Sequence, residues 1–195
     1  MPTPAPALKP VSDRPRSQNA HTQVLIATSE LLDTIEFDKI TVERIAARSG
    51  VSTATIYKHW PSKLAIVAEA FGRTTASNVP IEVSADPRHD LVTFAVASMT
   101  YHGLPSSRVF VQLIAACAVE PSGAAYLAEY YLGPRRDSIR PLWNAAVEAG
   151  AVRDDLDFDL AMDVLFGASV FRLMRGCDDT LTRAAVEASL AGLLR

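Results

Sequence analysis

A chain of 195 residues that is 49 % hydrophobic can bury a substantial core, and a net charge of −3 makes it too acidic overall to be coated by nucleic acid. No apolar run approaches the ~20 residues that cross a bilayer, and the opening residues lack the apolar stretch of a secretory leader, so a cytoplasmic protein without a membrane span is expected. The charge is uneven: residues 1–75 carry nine Lys or Arg against seven acids, and residues 76–195 carry ten against fifteen, which suits a polyanion site in the N-terminal part.

Residues 1–16 hold five of the 12 prolines and read as a disordered arm, with Arg14 and Arg16 placed to reach a minor groove. Beyond it, apolar positions recur at helical spacing without sustained period-two alternation, so the expected fold class is all-α. A first helix is expected over 17–35, with Val24, Ala27, Leu31 and Leu32 on its inner stripe and Phe37 folding back onto them. Thr41 can cap a second helix, with Ile40 and Ile45 as a hydrophobic staple. Gly50 ends that helix in the left-handed conformation, and Val51 packs back on it. Ser52 caps a third helix, which stops at Trp60 because Pro61 has no amide proton and disfavours helical geometry before it. Ser62 opens a fourth, running to about Thr74. Residues 76–89, with Pro80 and Pro87, mark the boundary between a head at 17–75 and a body at 76–195. Body helices are expected over 90–104, 107–118, 122–150, 159–175 and 180–194, the third kinked or split at Gly133-Pro134.

Two short helices joined by a tight glycine turn form the unit that lays its second helix in a major groove. Here Val42, Ile45, Ala46 and Ser49 face inward from one helix, and Ile56 and Trp60 from the other. That leaves Ala54, Thr55, Lys58 and His59 outward, with Thr53 and Tyr57 on the flanks. Thr41 and Ser52 offer hydroxyls and free amides at helix N-termini, where phosphate is stabilised. Tyr57, His59 and Lys63 supply further donors for the backbone of a duplex. Lys58 is long enough for the acceptor edge of a guanine, and the methyls of Thr53, Ala54 and Thr55 suit thymine. Helix-Gly-helix stretches also occur in helical proteins that bind no DNA, so the geometry alone does not settle the matter.

The whole segment T-V-E-R-I-A-A-R-S-G-V-S-T-A-T-I-Y-K-H-W-P-S-K, residues 41–63, closely resembles the DNA-binding region of the TetR family of bacterial regulators. The Gly50-Val51-Ser52 turn, the Thr55-Ile56-Tyr57 run, His59 before an aromatic and Lys63 opening the fourth helix all fall at the family's spacing. The resemblance covers about 17–74 in sequence and the rest only as length and helical organisation. It implies a two-domain protein of about nine helices that dimerises through its last two helices and usually represses until a small ligand binds the body. It makes Thr41, Tyr57, His59 and Lys63 phosphate contacts, and Thr53, Ala54, Thr55 and Lys58 base-facing positions. Glu43 departs from relatives that place a cation there.

The implied partners are double-stranded DNA, a second copy of the chain and a small-molecule effector, with no cofactor. Val164, Gly167, Ala168 and Phe171 on one helix, and Leu181, Ala185, Ala188 and Gly192 on the next, form stripes suited to a four-helix seam between subunits. An effector site is expected among Phe94, Met99, Tyr101, His102, Phe110, Gln112, Cys117, Tyr126, Tyr130 and Trp143, which mix apolar walls with polar tips. Asp154, Asp155, Asp157 and Asp159 lack the glycine turn and terminal glutamate of a calcium loop and read as a solvated turn whose last Asp caps the next helix. Cys117 and Cys177 stand at no metal spacing and read as buried thiols. A catalytic cysteine would need a nearby histidine, for which the body offers only His89 and His102, and no signature supports an enzyme. A DNA-binding dimer with no effector remains an alternative reading.

Overall fold

The computed structural model describes residues 14–102, 108–176, 183–192 and 194, with the side chains of 14–17, 102 and 189 outside the description. Every regular element among the described residues is a helix, with no strand beyond a single bridge between Val152 and Leu194. Four helices make the head: α1 (Arg14–Thr34), α2 (Val42–Ser49), α3 (Thr53–Ile56) and α4 (Lys63–Asn78), with a 3-10 turn at Phe37–Lys39. The body adds α5 (Pro87–His102), α6 (Arg108–Val119), α7 (Gly123–Leu127), α8 (Gly133–Glu148), α9 (Phe158–Met174) and α10 (Arg183–Leu190). A π-helical stretch, Ala128–Leu132, joins α7 to α8. Counted as one interrupted helix, α7 to α8 brings the described total to nine.

Helix boundaries follow the capping chemistry with some shifts. The first helix begins at Arg14, so the last three residues of the expected arm are helical, and α4 continues to Asn78 across the expected head–body boundary. Asp86 opens α5 by accepting the His89 amide at 3.0 Å, with Pro87 in the first helical position, where its missing N–H is harmless. The cap of α9 is Asp157, whose Oδ1 accepts the Leu160 amide at 2.8 Å, not Asp159 as the sequence suggested. Asp159 falls within the first turn and pairs with Arg136.

Gly133-Pro134 does interrupt its helix, through a π turn. The Gly133 amide reaches back five residues to the Ala128 carbonyl, and Pro134 can neither donate to the preceding turn nor tolerate a close carbonyl there. The widened turn presses on α4 at Gly72, where an added Cβ would lie 3.3 Å from the Tyr131 ring.

Three apolar clusters result. One holds the head together around Val24, Ile40, Ile45, Ile56, Trp60 and Ile66. Another fills the body around Leu91, Phe94, Met99, Leu142, Trp143 and Leu190. The third joins them: Phe37, Leu64, Val67 and Phe71 meet Phe110, Leu113, Cys117 and Tyr131. Phe37 is thus buried in this junction cluster, against which Leu32 of the expected α1 stripe also packs. One helix, α4, contributes to both the head and the junction clusters. No helix among the described residues is long and apolar enough to cross a membrane.

Candidate nucleic-acid interface

The second helix begins where Thr41 Oγ1 accepts the Arg44 amide at 3.3 Å, and ends at Gly50, whose φ of 71° lets its amide close on the Ala46 carbonyl. Ile40 and Ile45 are fully buried across the cap, and Val51 packs into the same cluster. Ser52 then accepts the Thr55 amide at 3.2 Å and starts α3. Only Thr53–Ile56 is regular α-helix; Lys58 and His59 donate three residues back, to Thr55 and Ile56, so the chain tightens before Trp60.

Ile56 and Trp60 are buried to within 1 % and fix this segment to the head. Above them Ala54, Lys58 and His59 are exposed, Thr53 and Thr55 are half-buried, and Tyr57 is 53 % exposed, further out than its expected flank position. The Thr55 hydroxyl shares a 2.9 Å hydrogen bond with Ser52 Oγ, so Thr55 turns its methyl to other neighbours. Thr41 is exposed at the edge of α2; the Glu43 amide first, and then the Thr41 hydroxyl, hold the Glu43 carboxyl below its usual range. Lys63 is the outlier of the expected set. Its Nζ lies 4.7 Å above the Phe37 ring and donates to the Phe37 carbonyl at 3.4 Å, so it closes the 3-10 turn and does not stand free beside Tyr57.

The support beneath this face includes two residues that sequence reasoning missed. Trp60 Nε1 donates to Glu69 Oε2 at 2.7 Å, Glu69 Oε1 lies 3.1 Å from His21 Nε2, and the His21 ring stacks on the indole at 4.6 Å. Residues from α1, the end of the recognition segment and α4 are thereby tied at one point. Trp60 was legible as core; no local pattern pairs it with positions 21 and 69.

In the body, a cleft of about 320 Å³ opens between α6, the π stretch, α8 and α9, lined by residues such as Phe110, Tyr131, Ile139, Met162, Phe166 and Ser169. Among the residues expected to line an effector site, Phe110 alone lies on this cleft. Phe94, Met99, Cys117 and Trp143 are buried core, and Gln112 is exposed. Tyr126 packs at the edge of the head and junction clusters. Tyr101 edges a small pocket against α1 and α4, and Tyr130 lines a second cleft between α4 and α8. The His102 side chain lies outside the described residues. Burial pushes the Tyr131 phenol up to about 12, so it stays a neutral hydrogen-bonding wall. Burial, with Glu120 nearby, also raises the Cys117 thiol, which disfavours the nucleophilic thiolate. Cys177 lies outside the described residues.

One face of α9 is left bare. Leu160, Val164, Phe171 and Met174 are 56–63 % exposed, and with Gly167 they step 4, 3, 4 and 3 residues along the helix, the spacing of an interhelical seam. Leu160 and Met174 extend the stripe expected from sequence; Ala168 is exposed beside it. On α10, Ala188 is exposed and Ala185 half-buried, while Val186 and Leu190 pack inward; Gly192, in the turn after it, is exposed, and Leu181 lies outside the described residues.

Comparison with known proteins agrees with this architecture. Residues 24–70 match the family described as "Bacterial regulatory proteins, tetR family", and residues 84–191 match "Tetracyclin repressor-like, C-terminal domain". The uncharacterized HTH-type transcriptional regulator YdeS of Bacillus subtilis (strain 168) is 30 % identical over 161 residues, which cover 83 % of this chain and 81 % of that protein. The TetR family transcription regulator SCO0332 has a crystal structure that superposes with a TM-score of 0.76 at 31 % identity, over 89 % of this chain and 96 % of that one. The fold is shared more distantly, at 17 % identity and a TM-score of 0.61, with the regulator FadR from Bacillus subtilis solved with stearoyl-CoA, over 89 % of this chain and 99 % of that one. A chain with this helix-turn-helix head, this helical body and these relatives belongs to the TetR family and is a DNA-binding transcriptional regulator.

Proposed function

We propose that the protein acts in the cytoplasm as a homodimeric repressor that holds a pseudo-palindromic operator until a small molecule enters the body cleft. The observation that carries the DNA-binding part is the outward display of Thr53, Ala54, Tyr57, Lys58 and His59 above the fully buried Ile56 and Trp60. In this reading Thr41, Ser52, Tyr57 and His59 hold phosphates, and Lys58, with the methyls of Thr53, Ala54 and Thr55, faces bases. Lys63 joins the phosphate contacts by exchanging the Phe37 carbonyl, a weak acceptor at 3.4 Å, for a phosphate oxygen. Dimerisation is supported by the bare apolar stripe of α9, where four large apolar side chains stand more than half exposed along one helix face.

Ligand response is supported by a continuous apolar path. Phe110 and Tyr131 line the cleft, and their rings lie 5.1 and 5.5 Å from that of Phe71 on α4. That helix also carries Ile66 into the cluster that seats Ile56 and Trp60. An occupant that displaces Tyr131 shifts α4, and with it the spacing of the two recognition segments in the dimer. The test is to select bound fragments from random duplexes. The expected product is a palindrome with half-sites about one helical turn or a multiple apart. A purified protein that stays monomeric and ignores every duplex at low salt would overturn the reading.

A further inference from the structure

The second cleft, between α4 and α8 where head meets body, has a volume of about 440 Å³ and shares only Tyr131 and Arg135 with the body cleft. None of its lining residues belongs to α9 or α10, so it is set apart from the stripe given to the dimer seam. Two cations border it without a carboxylate. Arg135, on α8, is half-buried; among the described residues only the Val79 carbonyl accepts from its fork of N–H donors, at 3.1 Å, and the guanidinium also lies over the Phe94 ring at 5.1 Å. Burial pulls this guanidinium below its usual range, because water is displaced from it and no anion takes the water's place. A charge withdrawn from water is ordinarily paired, as the adjacent Arg136 is with Asp159 and Asp163. Arg73 borders the same cleft from α4, is exposed, and makes no ion pair among the described residues.

The two carboxylates on the lining stay off both arginines. Glu69 holds the Trp60 indole and His21, and Glu129 stands beside the Tyr130 phenol, whose pKa is raised by burial first and then by that carboxylate. Two arginines and two glutamates leave the lining neutral overall, which suits a monoanion and repels a dianion. Gly72 and Ala76 keep the α4 wall low, and Tyr130 and Pro134 offer apolar surface opposite. The volume is roughly three times the ~150 Å³ of an apolar cavity that holds one benzene, so a two-ring body fits. We propose that the cleft between α4 and α8 binds a monocarboxylate with an apolar body of about two rings, its carboxylate paired with the Arg135 fork and drawn in further by Arg73.

This site goes beyond the ligand response assigned to the body cleft and stands without it, so it is tested on the full chain in the absence of DNA. The probes are 2-naphthoate, the neutral 2-naphthamide of the same shape, and 2-naphthyl phosphate, titrated calorimetrically near neutral pH. We expect 2-naphthoate to bind about tenfold or more tighter than the amide, and tighter than the phosphate, which is close to a dianion and meets Glu69 and Glu129. Arg135→Gln should erase the preference over the amide. Because Arg135 also borders the body cleft and holds the end of α4, the exposed Arg73→Gln is the second variant; it should weaken 2-naphthoate about threefold or more, with amide binding and far-UV circular dichroism unchanged. Ala76→Trp, which fills this cleft from its α4 wall, should abolish 2-naphthoate binding, whereas Ile114→Trp, which fills the body cleft, should leave it within about twofold. Amide or phosphate binding as tight as that of 2-naphthoate, arginine variants that keep the full preference, 2-naphthoate binding lost in Ile114→Trp or kept in Ala76→Trp, or a folded wild-type protein that binds none of the probes would each overturn the proposal.

Discussion

The tie between Trp60 and Glu69 gives the sharpest test of what fixes the recognition segment. Glu69→Ala leaves the indole N–H, on a residue only 1 % exposed, without its 2.7 Å acceptor, a loss of about 1–3 kcal/mol. Trp60→Phe removes the donor and part of the ring, adding a packing loss of about 1–2 kcal/mol to that of the hydrogen bond. The Glu69 side chain is 23 % exposed, so water compensates its lost partner in part, and the lower end of each range applies. A double-mutant cycle should therefore return a coupling of about 1–1.5 kcal/mol. The assay is urea unfolding by far-UV circular dichroism at fixed protein concentration, since a dimer's stability depends on concentration. Each single variant should also lower operator affinity, because Trp60 is what the turn after Tyr57 rests on. A coupling below about 0.3 kcal/mol would refute the claim that this hydrogen bond, and not apolar burial alone, anchors the segment.

Three further outcomes are expected. Lys58→Ala should relax preference at one or two base pairs by roughly 1–3 kcal/mol, whereas Tyr57→Ala should weaken all duplexes alike; competition with substituted operators separates the two. Phe171→Asp, which places a charge in the bare α9 stripe, should weaken self-association about 100-fold or more in sedimentation experiments with helicity unchanged. Glu43→Gln removes an exposed carboxylate from α2 and, if the proposed docking holds, should raise DNA affinity about two- to fivefold at low salt, with the gain vanishing at high salt. Because the Glu43 carboxyl is held below its usual range in the folded state, the stability it contributes is present above its unfolded pKa and lost as pH falls through the folded one. The Gln variant should lack that increment above the unfolded pKa, so the two stabilities converge as pH falls in pH-dependent unfolding.

The sequence by itself determined everything that depends on partners a few residues apart. Thr41, Gly50, Ser52 and Ser62 act through bonds spanning three or four positions, so the starts of α2, α3 and α4 and the stop of α2 could be read from residue types alone, whereas the start of α1 and the end of α4 could not. Helical spacing likewise exposed the inward Ile45, Ile56 and Trp60, and the bare side of α9. Only the tertiary structure decided the rest. The knot of His21, Trp60 and Glu69 joins three elements by long-range approach, which no periodicity encodes. Lys63 was drawn away from the outer face by the Phe37 ring and carbonyl, 26 residues upstream. Gly133-Pro134 announced an irregularity, but its form as a π turn goes with the approach of Gly72 on α4. The cleft was least legible, because an aromatic or thiol in a helix looks the same whether it walls a space or fills one. Empty volume belongs to the gap between helices, and the residues that border it are chosen by how those helices cross.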